Sequence, residues 1–353
     1  MLSFVYDILP SRVVFGAGCL DQLPAEIERL GSTKALVLST PEQRGTGLNI
    51  ANRLGKHAVG LFDRAVMHVP IEVAQAAREE AHRLGADCCV AVGGGSTTGL
   101  GKAIALTSSL PILAIPTTYA GSEMTPIWGI TEAGRKTTGR DPRVLPKTVL
   151  YEPALTVTMP AQLSATSGIN AMAHCVEALY AKDANPIISM VAEDAIRAFA
   201  RSLPAVVKNP ADLEARAQAQ YGAWLGGVSL GAVGMALHHK LCHTLGGSFN
   251  LPHAETHTIV LPHAVAYNAQ AAPEAMSRIA RALGVASAAQ GLFDLAASLG
   301  APLALRAIGL KETDLDKAAD IASQNPYYNP RPVTRDGIRA LLQDAFEGRR
   351  PQT

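Results

Sequence analysis

Four continuous apolar runs of strand length dominate the first half of the chain: "KALVLST" (34–40), "AVGLFD" (58–63), "CCVAVGG" (88–94) and "PILAIPTT" (111–118). A strand that is apolar at every position must be covered on both faces, so runs of this kind belong to the interior of a parallel sheet. Amphipathic segments such as "IEVAQAAREEAHRLG" (71–85) separate them. Buried strands alternating with helices predict an open parallel sheet with helices on either side. After "LPKTVLYEPALT" (145–156) the pattern changes to Ala-rich periodic stretches such as "NPADLEARAQAQYGAWLGG" (209–227), which predict helices. The expected organisation is therefore α/β plus all-α: a nucleotide-binding domain over 1–158 and a helical catalytic domain over 159–353, with the site in the cleft between them.

The 353 residues suffice for two such domains, and 48% hydrophobic with 17% charged residues is a globular composition. Lys+Arg 31 against Asp+Glu 30 leaves a formal charge of +1, which argues against nucleic acid or an anionic membrane as partner. There is no signal-like start and no long apolar span. Five cysteines without metal-type spacing argue against a disulfide framework, and a reduced, cytoplasmic protein is the expectation.

"VAVGGGSTTGLGKA" (90–103) follows a buried strand and opens a helix. Glycines allow backbone to approach a ligand, and the N–H groups at a helix start favour phosphate. Gly93, Gly94, Gly95 and Ser96 are candidates for a pyrophosphate cradle, although the turn is not G-x-G-x-x-G and a tight turn without ligand has the same glycines. The next strand ends in Thr117 and Thr118, beside it if the sheet is parallel. Nucleotides bind at the carboxyl ends of such strands.

In the second half, "SATSGINAMAHCVEALYA" (164–181) reads as a helix that puts Asn170 and His174 on one face at i and i+4. Six of the ten histidines fall in "HHKLCHTLGGSFNLPHAETHTIVLPH" (238–263). His239 and His243 share a helix face there, and His253 follows "GGSFNLP", read as a loop. Any one of these histidines can be polar packing; together, in an apolar region, they call for a shared polar cavity. Cys242, offset from His239 and His243, reads as a buried filler rather than a catalytic thiol.

At this point the residues resemble a known family. "GGGS" (93–96), "PTT" (116–118), "GINAMAHCVEA" (168–178), "HHKLCHTLGG" (238–247), "LPHAETHTIVLPH" (251–263) and "NPRP" (329–332) occur in the order seen in the iron-containing alcohol dehydrogenase family, over nearly the whole chain. "GGGSTTGLGKA" and "KTTGRDPRVLP" (136–146) look most like its branch that reduces maleylacetate to 3-oxoadipate with NADH or NADPH, late in bacterial breakdown of aromatic compounds. The resemblance implies the dehydroquinate synthase-like two-domain architecture and a homodimer. By position, the family's metal ligands fall on Asn170, His174, His239 and His253. The family's aspartate is an amide here, and an amide brings no charge to offset a divalent cation. We therefore expect no metal, only its vestigial site. Two more departures are Gly99, where the family has aspartate, and "PTTYAGSE" (116–123), one residue shorter than usual.

A conjugated enone can take hydride at the alkene carbon remote from the ketone, leaving an enolate. An enolate is far less basic than an alkoxide, so hydrogen-bond donors can replace a Lewis acid. His243 is the expected donor, with His239 and His253 near it, and with His174 and Asn170 shaping the pocket. Candidates for the carboxylates of a small dicarboxylate substrate are Tyr327, Arg331 and Arg140, while Lys136 is a candidate for cofactor or carboxylate. Ser39 and Thr40 stand where a coenzyme ribose is expected, and neither excludes a 2′-phosphate. The competing readings are a metal-dependent alcohol or polyol dehydrogenase, a dehydroquinate synthase-like lyase, and a non-catalytic nucleotide-binding protein.

Overall fold

The computed structural model describes residues 11–352 together with Phe4, Tyr6 and Leu9. Contacts divide the chain between Thr158 and Met159.

In the first unit, strands β1 (Arg12–Phe15), β2 (Ala35–Leu38), β3 (Ala58–Phe62), β4 (Cys88–Gly93), β5 (Ile112–Pro116) and, later in the chain, β8 (Thr148–Tyr151) form one sheet in the order β1-β8-β5-β4-β2-β3. Every pairing in it is parallel. Alternate residues of one strand serve opposite cores. Leu36 and Leu38 of β2 join Cys89 and Ala91 of β4 beneath helices α3 (Ile71–Arg83) and α4 (Gly95–Ser108). Val37 and Val90 pack on the other side with α1 (Leu23–Arg29) and α2 (Arg44–Leu54). This two-sided burial is why the strands read as unbroken apolar runs.

The hairpin β6 (Ile127–Glu132) and β7 (Arg135–Arg140) stands apart as an antiparallel pair. Its two-residue turn, Ala133 and Gly134, has φ of +46° and +75°, the type I′ pattern that matches strand twist. The start of the segment 136–146, as far as Arg140, is thus a strand of this hairpin.

The second unit is helical: α5 (Ala161–Ala178), α6 (Pro186–Lys208), α7 (Leu213–Ala232), α8 (Leu237–Phe249), α9 (His253–Asn268), α10 (Pro273–Leu283), α11 (Ala288–Ser298), α12 (Leu315–Ser323) and α13 (Arg335–Glu347). Helix α5 is buried from Ser164 to its end and forms the centre. Gly226 lets α7 press against it, since a Cβ there would lie 3.0 Å from the Ala171 carbonyl oxygen. One expectation needs correcting. "GGSF" (246–249) is the last turn of α8, not loop, and only residues 250–252 connect α8 to α9. Asn250, at φ +54°, takes the left-handed position that ends the helix, and Pro252 leads straight into His253. Among the described residues, no helix is long and apolar enough to cross a membrane.

Candidate functional site

The glycine turn closes the central strand β4. Gly93 has φ +144°, and a Cβ there would come within 2.6 Å of Gln43 Oε1 and 2.7 Å of Thr97 Oγ1. At Gly94 a Cβ would meet Thr118 Oγ1 at 2.9 Å, whereas Gly95 is open. The end of β5 is tied to the turn, with Thr117 N–H donating to the Gly93 carbonyl at 3.0 Å. Gly93, Gly94, Gly95, Ser96, Thr117 and Thr118 are thus brought together. Gln43 joins them unannounced by the sequence: its amide donates to Thr117 Oγ1 at 2.8 Å. Ser39 is different. Its side chain is buried, and its Oγ faces Gly47 of α2, where a Cβ would approach to 3.0 Å.

The loop after Thr118 is held by a residue the sequence reading passed over. Lys102 is buried, and its ammonium donates to the carbonyls of Ser122, Thr125 and Ile127 at 2.6, 2.8 and 2.8 Å. Burial pulls its pKa down to about 7, against the favourable charge of Glu123. A Cβ at Gly99 would lie 2.8 Å from Val69 Cγ2, so an aspartate there would have to displace that valine.

In the helical unit the histidines form a buried floor and an open rim. Asn170 and His174 come from α5, His238 and His239 from α8, and His257 from α9; all five are buried. The His239 ring lies 5.1 Å from His174 and 4.9 Å from His257, centroid to centroid. His253 is exposed at the start of α9, its ring 4.2 Å from that of His257. His243 is exposed one turn beyond His239, at 5.9 Å ring to ring.

Glu177 organises the floor, although sequence reasoning missed it. Its carboxylate accepts from the backbone N–H groups of Ala236 and His238 at 2.8 and 2.7 Å, and from His239 Nδ1 at 2.7 Å. The only signal was its place three residues after His174, on the same helix face. The consequence is a defined tautomer: His239 carries its proton on Nδ1, so Nε2 is an acceptor. His238 donates from Nε2 to the His257 carbonyl at 2.9 Å, which leaves its Nδ1 as acceptor, 3.4 Å from His239 Nδ1. Asn170 Oδ1, His174 Nδ1, His239 Nε2 and both ring nitrogens of His257 are buried without a hydrogen-bond partner among the described residues. Each such atom costs about 1–3 kcal/mol, so the floor is built to meet something polar.

Burial keeps these imidazoles neutral. The pKa of His238 is pushed down to about 3, first by burial and then by His239. His174, His239 and His257 are held well below the ordinary 6.5, again by burial first and by neighbouring histidines second. On the rim, His243 Nδ1 stands 3.1 Å from the Tyr327 hydroxyl, and Lys240 Nζ lies 5.8 Å from the centre of the Tyr327 ring. Cys242 is buried behind them, its sulfur 3.5 Å from His238 Nε2.

One expected substrate residue, Arg331, lies elsewhere in the helical unit. Arg331 lies over the Tyr267 ring at 4.1 Å and donates to the Tyr267 carbonyl at 3.0 Å. Tyr267 is ten residues beyond His257 on α9, roughly 15 Å along the axis, so Arg331 is not part of the histidine pocket. Arg140 and Lys136 belong to β7 of the first unit. They are exposed there and are not among the residues of the glycine turn.

Residues 10–153 match the family model described as "Iron-containing alcohol dehydrogenase", and residues 164–346 match "Fe-containing alcohol dehydrogenase family, C-terminal". The chain belongs to the iron-containing alcohol dehydrogenase family. It is therefore an oxidoreductase of a family that works with a nicotinamide cofactor. It is 61% identical to the maleylacetate reductase of Burkholderia cepacia, over 99% of this chain and 100% of that one. The maleylacetate reductase of Sphingobium indicum is 57% identical, with 100% of both chains covered. Among solved structures, the maleylacetate reductase of Agrobacterium tumefaciens superposes with a TM-score of 0.97 at 55% identity, covering 99% of this chain and 100% of that chain.

The family's iron puts a question to this pocket. Position 170 offers an amide, and the other three places are imidazoles, so the set carries no negative charge. Glu177, the carboxylate behind His239, is already taken up by three donors. The partnerless atoms have the right chemical type for a cation, but a divalent ion would enter without a counter-charge, in a medium whose effective dielectric is only about 20. The residues present therefore suit a divalent ion less well than a set with a carboxylate at position 170, although ring nitrogens of His238, His239 and His257 lie within 4.8 Å of one another.

Proposed function

We propose that this protein reduces maleylacetate to 3-oxoadipate with NADH or NADPH, and does so without metal. The observation that carries the reading is the 61% identity, over 99% of this chain and 100% of the other, to a protein named maleylacetate reductase. The pocket supports it from the chemical side. A bound nicotinamide would supply hydride to the alkene carbon remote from the ketone, leaving the charge on the ketone oxygen of the substrate. The resulting enolate is stabilised by hydrogen bonds rather than by a Lewis acid.

The tautomers divide the work. His239, with its proton committed to Glu177, presents a lone pair and cannot donate from Nε2. The donor role falls to His243: when Tyr327 gives its hydroxyl hydrogen to Nδ1, Nε2 carries the transferable proton. That proton passes to the carbon beside the ketone as the enolate collapses, which completes the ketone product. His253 shares the rim, and His174 and Asn170 close the pocket floor. Lys240, above Tyr327, is the cation for a substrate carboxylate in place of Arg331. In this reading residues 1–158 bind the nucleotide and 159–353 perform the proton chemistry. The homodimer and the role in aromatic breakdown rest on the family likeness, and the cytoplasmic location on the cysteine usage.

The test is NADH consumption by purified protein with maleylacetate, run beside lactaldehyde and other short aldehydes. Turnover of maleylacetate at least a hundredfold higher in kcat/KM is expected, about 2.7 kcal/mol of discrimination. Equal rates on the aldehydes would refute the proposal.

A further inference from the structure

Ser39 points into the protein, so something else must decide how the adenosine ribose is read. Strand β2 is the neighbour of β4, and β3 is the neighbour of β2. In open parallel sheets the pyrophosphate sits at the glycine turn and the ribose hydroxyls near the end of the adjoining strand. The connection from β2 to α2 lies against that turn here, because Gln43 touches both Gly93 and Thr117. Ser39 is buried beneath Gly47, with no hydrogen-bond partner for Oγ among the described residues.

The charged groups at this edge are Glu42, Arg44 and, just after β3, Asp63. Glu42 is exposed and is kept ionised by hydrogen bonds from its own backbone and from Thr40. Arg44, the first residue of α2, donates from Nε to Asp63 Oδ2 at 2.7 Å. The other cation nearby, Arg64, stacks on the Phe62 ring at 4.5 Å. A 2′-phosphate brings nearly two negative charges and needs a guanidinium or ammonium to meet it. Arg44 is the group available, and it is already paired with a carboxylate.

We infer that the Arg44–Asp63 ion pair selects the coenzyme: Arg44 receives the 2′-phosphate of NADPH, and Asp63 competes for Arg44 and so favours NADH. This rests on the nicotinamide-dependent reading above. The pair is partly exposed, and exposed pairs yield easily, so the selection is soft rather than absolute. Glu42 adds a second acid beside the pair, while Arg64 is held over the Phe62 ring, and wild type binds NADH more tightly than NADPH.

The experiment is fluorescence titration of NADH and NADPH against wild type, Asp63→Asn and Arg44→Ala, without substrate. Asp63→Asn should shift the affinity ratio toward NADPH by roughly tenfold, the size of one freed charge-assisted hydrogen bond. Arg44→Ala should shift the ratio toward NADH. The gain in Asp63→Asn should shrink in 0.5 M salt, because the new contact is charge to phosphate and lies at the surface. A ratio unmoved by both substitutions would overturn the inference while leaving the enzyme's coenzyme use intact. Failure of wild type to bind either nucleotide would instead overturn the nicotinamide-dependent reading on which it rests.

Discussion

The floor and the rim of the histidine pocket are made of the same side chain and behave as different chemistry. On the floor, His174, His238, His239 and His257 are buried, neutral and mutually discouraging of protonation. On the rim, His243 is exposed and hydrogen-bonded to a partly exposed tyrosine. A proton donor must be recharged from solvent between turnovers, and only the rim has that access. The floor supplies shape and lone pairs. Histidine identity alone therefore says little; burial and the atom that each partner occupies decide the role.

The largest effect that can break this division is expected at His243. His243→Ala should lower kcat by about 10²–10⁴, the usual worth of a positioned general acid, with nucleotide affinity retained. Steady-state kinetics with maleylacetate measures it. A loss of less than tenfold would move the donor off the rim.

The floor is tested by acid, with a smaller effect. Burial holds His238 at about 3, and elsewhere in the helical unit His263 at about 4, below the ordinary 6.5. An unfolded chain takes up protons near 6.5 and the folded one does not. Stability is thus complete above that value and is lost as pH falls through the window toward 4 and 3. Each depressed histidine contributes about 1 kcal/mol per pH unit inside the window. Denaturant midpoints should fall from pH 7.5 to 5.5 at unchanged slope. A flat profile would mean that the floor histidines are protonated in the folded protein.

The sequence made some of this legible and hid the rest for identifiable reasons. Strands β2, β4 and β5 announced themselves because burial on two faces leaves no polar interruption; β3, at the sheet edge, is apolar although only partly buried. The β6–β7 hairpin did not, since Ala133-Gly134 lacks the Asn-Gly or Asp-Gly signature of a type I′ turn. Asn170 and His174 were placed by helical periodicity alone. Glu177 was passed over because its partners, Ala236, His238 and His239, are 59–62 residues away in sequence. Arg331 looked like a substrate residue by composition, and only the length of α9 shows that it belongs to Tyr267. Ser39 stands just past the end of β2, but its side chain is turned inward and buried against Gly47.

The claim most open to contradiction is that an amide at 170 leaves a pocket that works without metal. The direct measurement is elemental analysis of purified wild type, with maleylacetate-dependent NADH oxidation before and after exhaustive chelation, beside Asn170→Asp. The account predicts metal well below one equivalent, turnover unchanged by chelation, and tighter binding of zinc or ferrous iron in Asn170→Asp, more so as pH rises and the imidazoles lose protons. One metal per chain in wild type, with activity lost on its removal and restored by adding it back, would contradict the account.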